Sequence, residues 1–501
     1  MLRKPTARDL KAIGYYTGQV IVWFGLLMLI PVAIALVQRE WQPALDFLAS
    51  FGICLSVGFG LQLLWRGHPP DLSWTQGMVA AALSWLLALL LGAIPYYLSG
   101  YYLSFLDAAF DVMSGFTTTG LTLIQDLNHV PDSINTWRMF ISWLGGQGMV
   151  VLALSFLVRG LPGAYKIYVG EGKDERLLPN VIHTARAIWV VSIVYFLLGT
   201  AVQWVIGLTL GLAPGRSLLH AAWLFMAGWS TGGFAPNPQN VLYYHSLSYE
   251  LCLIIFFVIG SFNFNLHWSV MTGNRKEIFR NLETVTFVIA TTVLAAIATW
   301  DLRWTGTYGD TLSLFRKGYF QLISAHTTTG FMTVYARAFI LEWGPLAMVA
   351  MIVAMAFGGS ASSTAGGFKM ARVGIFFKAL GHDIKRLLLP ESSVSVQKFH
   401  MFRSVILDDR MARSAMTIII LYTLTLGVGT AVGTASGYDF LSALFESVSV
   451  TGNVGLSAGV TTAATPAVLK VAYIIMMWLG RLEFMSVFVL FGYAYAGVRG
   501  R

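Results

Sequence analysis

Four short clusters of threonine, serine and glycine recur along this chain of 501 residues. They occupy Gly115–Thr122, Gly228–Phe234, His326–Phe331 and Thr451–Ser457. Main-chain carbonyls and hydroxyls offer only oxygen ligands, which suit a hard cation better than a transition metal. Each cluster contains glycine, because pointing successive carbonyls in one direction needs backbone angles that most residues resist. These residue types therefore predict coordination of a dehydrated cation by backbone oxygens.

Each cluster follows an apolar segment that is too short to cross a bilayer. These segments are Ser104–Ser114, Ser217–Ala227, Thr311–Ala325 and Leu441–Val450. A short helix with a polar tip is typical of a re-entrant segment, because irregular backbone at membrane depth must be buried in protein or line a wet cavity. The C-terminal end of such a helix carries partial negative charge, which favours a cation at the tip. We expect the four tips to meet around one axis.

The composition predicts a helical membrane protein, since 56% of the residues are hydrophobic and only 11% are charged. Ten apolar stretches are long enough to span a bilayer, and two of them precede the first cluster. We therefore predict an all-α polytopic fold with four tandem repeats of helix, re-entrant pore loop and helix around a pseudo-fourfold pore, preceded by two extra transmembrane helices. The predicted boundaries are 1–70 for the extra helices and 71–165, 166–275, 276–390 and 391–501 for the repeats.

Two of the predicted spans contain residues that interrupt a membrane helix. Pro345–Phe368 ends in a run of glycine and serine, and Val471–Ala494 contains Arg481 and Glu483. A break exposes backbone groups, so it must line a cavity, and it offers a natural hinge. A charge in mid-span is costly and marks a functional candidate. Leu251–Val270 is another of the ten predicted spans.

Lysine and arginine concentrate in the N-terminal segment and in alternate connections. This pattern predicts that those connections and both termini are cytoplasmic. The most basic connection is Lys369–Arg413, whereas one connection predicted to be external departs from the rule with Arg303, Arg316, Lys317 and Arg337. The net charge of +9 then reflects orientation in the membrane, and we predict no nucleic-acid partner.

Three other interpretations compete with a pore. Clusters of small residues also form helix contacts or turns, and one cluster alone would favour that. A secondary transporter with inverted repeats would place its clusters on alternate sides of the membrane, whereas these share a side. An enzyme should show catalytic or metal-binding spacings, but the chain contains neither HExxH nor GxxxxGK[ST]. We predict that it is not an enzyme.

Three ionisable residues, Asp107, Asp111 and His326, lie beside the clusters. A carboxylate could bind a cation directly, but solvated residues at a pore mouth or caps of the short helices explain these positions as well. We interpret them as mouth residues or caps and not as ion ligands.

Several stretches together resemble the membrane subunit of the Trk/Ktr/HKT superfamily of potassium transporters. They are Phe116–Gly120, Ala325–Phe331, Gly452–Leu456, Gly358–Lys369 and Trp478–Glu483. Trp143–Gly148 matches the start of the family's first inner helix less closely. The resemblance spans nearly the whole chain, and the two extra helices make it similar to the bacterial Trk type rather than the shorter Ktr type.

The resemblance implies potassium uptake through a channel-like pore with a carbonyl selectivity filter. One key glycine per filter maps to Gly120, Gly233, Gly330 and Gly455, as in potassium-selective members. The implied potassium-binding residues are Thr118, Thr119, Gly120, Thr231, Gly232, Gly233, Thr328, Thr329, Gly330, Asn453, Val454 and Gly455.

The resemblance also implies an intramembrane loop that gates the pore below the filter, with Arg481 nearby to repel resting cations. The implied gating residues are Gly358, Gly359, Ser360, Gly366, Gly367 and Arg481. The structural alternatives are a simple kink for the loop and, for Arg481, an ion pair with Glu483, Glu446 or Asp439.

The resemblance further implies a homodimer that binds a cytoplasmic ring of nucleotide-sensing regulatory subunits. The basic Lys369–Arg413 connection could dock that ring, although a purely orienting role would look the same. The chain itself is expected to bind no cofactor, and the potassium ion is its substrate. The implied location is the bacterial inner membrane, crossed many times.

Overall fold

The computed structural model describes residues 4–65, 72–124, 126–148, 181–390, 393 and 395–500, together with Val151, Lys166, Val169 and Glu171. The predicted boundary between the first two repeats, at 165 and 166, lies mostly outside these residues. Six of the described helices are long and apolar enough to cross a membrane, and two bent helix pairs bring the number to eight.

Two helical stretches precede the first repeat. The first comprises Ala7–Leu27 and Leu29–Gln38, and the second is Trp41–Leu63. Thr6 and Asp9 form a reciprocal capping box that starts the first helix. Gly18 and Gly58 let the two stretches approach closely, because a Cβ at Gly18 would collide with the backbone of Gly58.

Four units of outer helix, re-entrant helix and inner helix follow. The first has Trp74–Leu98, Phe105–Phe116 and Asp132–Gln147, and the second has Val181–Thr209, Pro214–Trp229 and Leu247–Gly260 with Phe264–Met271. The third has Leu282–Trp304, then Thr311–Ser313, Leu314–Tyr319 and Phe320–His326, then Pro345–Phe357 and Met370–Leu388. The fourth has Asp409–Ala435, Phe440–Thr451, and Ala467–Arg481 with Met485–Arg499. Short helices at Leu127–His129, Asn240–Tyr244, Glu277–Arg280 and Ala338–Leu341 lie in the connections.

Within the part of the chain that the structure describes, three inner helices are broken near their midpoints. The third repeat breaks after Phe357 and the fourth after Arg481, where the sequence predicted interruptions. The second repeat also breaks, with a bend of 100° between Leu247–Gly260 and Phe264–Met271, an interruption of the predicted span Leu251–Val270 that the sequence analysis did not identify. Asn263 explains this restart, because its side chain accepts a hydrogen bond from the amide of Asn265 and caps the second half.

The re-entrant helices lie in the interior of the molecule. Every residue from 107 to 116 in the first of them is buried, and Trp137, Trp223 and Trp229 are among the largest buried side chains. Outer helices instead expose large apolar residues, for example Val190, Leu197 and Leu198, which suits contact with lipid chains. The fold therefore holds the four tips inside protein.

A β-hairpin between the third and fourth repeats was not predicted from the sequence. Strands Lys398–Met401 and Arg403–Ile406 pair antiparallel. Glu277 anchors the hairpin, since it accepts hydrogen bonds from His400 Nε2 at 3.0 Å and from the amide of Phe402 at 2.9 Å. Burial acts to raise the pKa of Glu277, but the hydrogen bonds from His400, Asn281 and Phe402 outweigh it and hold that pKa below its usual value.

Candidate ion pathway

The four clusters share one unusual backbone conformation. In each, the final glycine and the residue two positions before it have positive φ. The pairs are Thr118 and Gly120 (56° and 86°), Thr231 and Gly233 (51° and 63°), Thr328 and Gly330 (56° and 80°), and Asn453 and Gly455 (55° and 90°). Positive φ is rare for a β-branched residue such as threonine, yet it occurs at the same place in three clusters. Alternating left-handed residues turn successive carbonyls toward the same side.

The same hydrogen bond anchors each tip to its own re-entrant helix. The amide before the final glycine donates to a carbonyl five residues earlier. These bonds are Thr119 to Ser114 (2.7 Å), Gly232 to Ala227 (2.7 Å), Thr329 to Ser324 (2.8 Å) and Val454 to Ser449 (2.8 Å). Because the amides turn toward the helices, the carbonyls of these residues are free to face away from them. The shared bond also sets Gly233, and not Gly232, level with the other three final glycines.

The four final glycines form a closed ring. A Cβ at any of them would collide with the carbonyl oxygen of the residue before the final glycine in the next repeat. The collisions run from Gly120 to Gly232, from Gly233 to Thr329, from Gly330 to Val454 and from Gly455 to Thr119. The ring visits the repeats in chain order and returns to its start, so the structure brings all twelve predicted potassium-binding residues together around one pseudo-fourfold axis.

The loop that interrupts the third inner helix lies against all four tips. Thr364 carries most of the contacts: its hydroxyl lies 3.2 Å from that of Thr231, and its carbonyl lies 3.5 Å from the hydroxyl of Thr118. The amide of Gly366 donates to the hydroxyl of Thr328 at 2.7 Å, and a Cβ at Gly366 would collide with Gly452 in the fourth tip. The loop therefore lies directly against the ring.

Glycine is required where the loop leaves and rejoins the helix. Gly358 and Gly367 have φ of 70° and 75°, and a Cβ on either would collide with the backbone of the opposite arm. Gly359 and Ser360 lie in the first arm, where the amide of Ser360 donates to the carbonyl of Ser261 at 2.9 Å. All predicted gating residues in the loop are thus part of one tightly closed turn.

Arg481 joins this loop to the first repeat. Its guanidinium donates to the carbonyls of Thr364 and Gly145, each at 2.5 Å, and to Gly146 at 3.1 Å. It also lies 3.3 Å from the hydroxyl of Thr118. The guanidinium of Arg481 therefore lies beside the ring and is bound to backbone oxygens.

The proposed ion pair of Arg481 with an acidic neighbour is wrong. Glu483 pairs with Arg372. Glu446 accepts from Ser457, Ala458 and Thr461, and Asp439 caps its own helix through Ser442. Arg481 therefore donates its hydrogen bonds to carbonyls and a hydroxyl, while the carboxylates of Glu171 and Glu483 are near enough to act on its charge.

Asp107, Asp111 and His326 are not solvated mouth residues, because all three side chains are buried. Asp111 accepts from the amide of Leu123 at 2.7 Å, and Asp107 pairs with Lys470 at 2.6 Å. Sequence reasoning placed these residues correctly beside the clusters but could not identify their distant partners.

The Asp107–Lys470 pair joins the first repeat to the fourth and so closes the ring of repeats. The two side chains are 4% and 8% exposed. Replacing Lys470 with methionine should lower the free energy of unfolding by about 3 kcal/mol, because it leaves a buried carboxylate without its cation. The double variant Lys470→Met/Asp107→Leu should recover most of that loss in thermal unfolding of the purified protein. Equal destabilisation of the single and double variants would show that the unpaired charge is not the cause.

A cavity of about 420 Å³ opens on the other side of the ring. It is lined by Gly120 and Gly455 and by side chains that include Arg138, Asn240 and Arg337. Sequence reasoning missed Asn240, Thr364 and the Gly145–Gly146 pair. Thr364 is the bulkiest residue in the run of glycine, alanine and serine from Gly358 to Gly367, which was a usable signal.

Known proteins match this chain over nearly its whole length. A family model described as a cation transport protein of the TrkH family matches residues 45–495. This chain belongs to that family. It is 34% identical to an uncharacterized cation transporter of Methanocaldococcus jannaschii, covering 98% of this chain and 97% of that protein. It is 29% identical to the Trk system potassium uptake protein TrkH of Escherichia coli K12, covering 96% and 98%.

The fold matches a solved relative. The crystal structure of the potassium transporter TrkH from Vibrio parahaemolyticus superposes with a TM-score of 0.82 at 25% identity, covering 96% of this chain and 98% of that one. The predicted fold class and Trk-type family are therefore confirmed, and the chain is a multi-pass membrane transporter rather than an enzyme. The chain also contains the GxSxG spacing of some hydrolases at Gly455–Gly459. The hydroxyl of its serine, Ser457, donates a hydrogen bond to the buried Glu446 at 2.9 Å.

Proposed function

We propose that this TrkH-family protein takes up potassium ions through a selectivity filter formed by the backbone carbonyls of its four tips. The closed ring of final glycines carries this proposal, because it places equivalent carbonyls of four repeats around one axis. The proposed filter residues are the twelve predicted ones, Thr118 to Gly120, Thr231 to Gly233, Thr328 to Gly330 and Asn453 to Gly455. Inverted repeats would not bring four tips into one ring, so the ring disfavours that alternative.

Carbonyl oxygens suit potassium for a physical reason. A dehydrated ion needs oxygens to replace its water shell, and backbone carbonyls supply them without fixed negative charge that would hold the ion too strongly. Re-entrant helices that end at the ring add their partial negative ends. The anchored amides hold the tips in place, which favours an ion that fits over a smaller one.

We propose that the conformation described here is a closed pore. The loop Gly358–Lys369 occupies the axis next to the filter, and Arg481 holds it there through Thr364. The guanidinium adds electrostatic repulsion to the steric block. Opening would require the loop to move away from the tips, with Gly358 and Gly367 as hinges.

The assembly and its setting are also proposals. We infer a homodimer in the bacterial inner membrane with both termini in the cytoplasm and with a cytoplasmic ring of nucleotide-sensing subunits that controls the gate. The chain would bind no cofactor of its own. The Lys369–Arg413 connection, which holds the β-hairpin, is the proposed docking surface for that ring.

Two measurements test the proposed function. Expression in a bacterial strain without potassium uptake systems should restore growth at low external potassium. In planar bilayers with potassium on one side and sodium on the other, the purified protein should show a reversal potential displaced toward the potassium equilibrium value. A reversal potential near zero at measurable current would refute a potassium filter.

A further inference from the structure

Three of the four repeats fasten the segment after the filter by a hydrogen bond between the same two positions. A polar side chain nine residues before the final glycine reaches the residue three positions after it. Asp111 accepts from the amide of Leu123 at 2.7 Å, and Glu446 accepts from the amide of Ala458 at 2.9 Å. Gln321 donates from Nε2 to the hydroxyl of Thr333 at 2.7 Å in the third repeat.

The second repeat cannot make this bond. Its residue nine positions before Gly233 is Leu224, which is fully buried, and the residue three positions after Gly233 is Pro236. Proline has no amide hydrogen, so a carboxylate at 224 would have nothing to accept. An apolar residue in that buried position is consistent with the missing donor.

In the second repeat a different residue, Asn240, bonds to the filter segment. Its Nδ2 donates to the carbonyl of Gly233 at 3.2 Å, and its Oδ1 accepts from the amide of Met332 at 3.2 Å and from that of Val241 at 2.9 Å. Amides only donate and carbonyls only accept, so these partners determine the orientation of the side-chain amide. The backbone reinforces the link, because the amide of Leu242 donates to the carbonyl of Met332 at 3.2 Å.

From these contacts we infer that Asn240 is the positioning residue of the second filter segment. It holds the carbonyl of Gly233, a proposed potassium ligand, and connects it to Met332, two residues after Gly330 in the third repeat. Asn240 thus links two neighbouring segments of the ring, whereas Asp111, Gln321 and Glu446 each act within their own repeat. The inference rests on the proposed function, since a displaced carbonyl is detected as a change in the selectivity of the proposed potassium filter.

The variants are chosen to keep the backbone intact. Asn240 has φ of 54°, a conformation that glycine and aspartate tolerate but alanine does not. Asn240→Gly removes all three side-chain hydrogen bonds without backbone strain. Asn240→Asp can still accept from Met332 and Val241 but cannot donate to Gly233. Asn237→Ala is the matched control, because Asn237 lines the same cavity and its buried Nδ2 makes no hydrogen bond among the described residues.

Reversal potentials in mixed potassium and sodium, with thermal unfolding of the same samples, test the inference. Asn240→Gly and Asn240→Asp should both lower the permeability ratio of potassium to sodium about fivefold, the factor that corresponds to one lost hydrogen bond, while Asn237→Ala keeps the wild-type ratio. A role in stability alone would lower the unfolding temperature without changing the ratio.

The outcomes separate the inference from the proposed function. If the wild type itself does not discriminate potassium from sodium, the proposed function fails. If the wild type is selective and both Asn240 variants match it, only the inference fails. If Asn240→Asp keeps the wild-type permeability ratio while Asn240→Gly lowers it, the bond to Gly233 has no role in selectivity and the assignment is overturned. Loss of folded protein in both variants would also overturn it, since Asn240 would then serve stability only.

Discussion

Replacing Gly330 with serine should reduce the selectivity for potassium over sodium at least about tenfold. Gly330 has φ of 80°, and left-handed backbone costs an L-residue about 1–2 kcal/mol. The new Cβ would also collide with the carbonyl of Val454, a proposed ligand in the fourth repeat. About 1.4 kcal/mol corresponds to a factor of ten, and both effects act on the ring itself. Gly120→Ser should behave alike, because its Cβ would collide with the carbonyl of Gly232.

The measurement is the reversal potential of the purified variants under mixed potassium and sodium. Gly427→Ser provides the control, because Gly427 lies in an outer helix and a Cβ there meets no atom within 4 Å. It should leave selectivity unchanged. Wild-type selectivity in both ring variants, at normal abundance of folded protein, would contradict the carbonyl filter.

Replacing Arg481 with alanine should raise the basal potassium flux about fivefold. Two unit charges 4 Å apart interact by about 4 kcal/mol at an effective dielectric constant of about 20. Water and the nearby Glu483 will reduce this energy, so we expect the barrier to fall by about 1 kcal/mol, which corresponds to severalfold in rate. The variant also frees the carbonyls of Thr364 and Gly145, so the loop loses an attachment as well as a charge.

Arg481→Lys separates the charge from the attachment. Lysine keeps the positive charge but lacks the planar fork that spans two carbonyls, so its flux should lie between those of the wild type and the alanine variant. Arg303→Ala, which removes an exposed arginine at the end of an outer helix, should leave flux unchanged. Flux is measured per folded protein, alongside the unfolding temperature. A fall in stability with no rise in flux would show that Arg481 only holds the structure together.

The recurring pattern made the tips predictable. A glycine at the end of each threonine-rich or serine-rich cluster predicted a left-handed backbone, and the four-times repeat predicted a shared axis. Both predictions follow from local chemistry, because only glycine tolerates the close approach at Gly120 or Gly455 at no steric cost. The interruption after Phe357 was equally predictable. A run of glycine and serine breaks a membrane helix, and the exposed backbone must then be buried in protein or line a cavity.

Pairings between distant residues were not predictable. Asp111 was interpreted as a solvated mouth residue or a helix cap, although it is buried and accepts a hydrogen bond from the amide of Leu123. Arg481 had Glu483 as an apparent partner two residues away, but the break in the helix turns the two side chains toward different groups. Sequence distance favours local pairs, whereas burial selects whichever partner the packed repeats bring within reach.

The sequence by itself determined that this is a helical membrane protein with four re-entrant tips, because hydrophobic length and glycine placement act locally along the chain. Only the tertiary structure decided that the tips meet in chain order, that Thr364 touches two of them through its own atoms, and that Arg481 donates hydrogen bonds to carbonyls rather than to a carboxylate. Those facts depend on atoms from different repeats meeting at one axis. A contact between residues more than a hundred positions apart leaves no periodicity in the sequence, so packing alone reveals it.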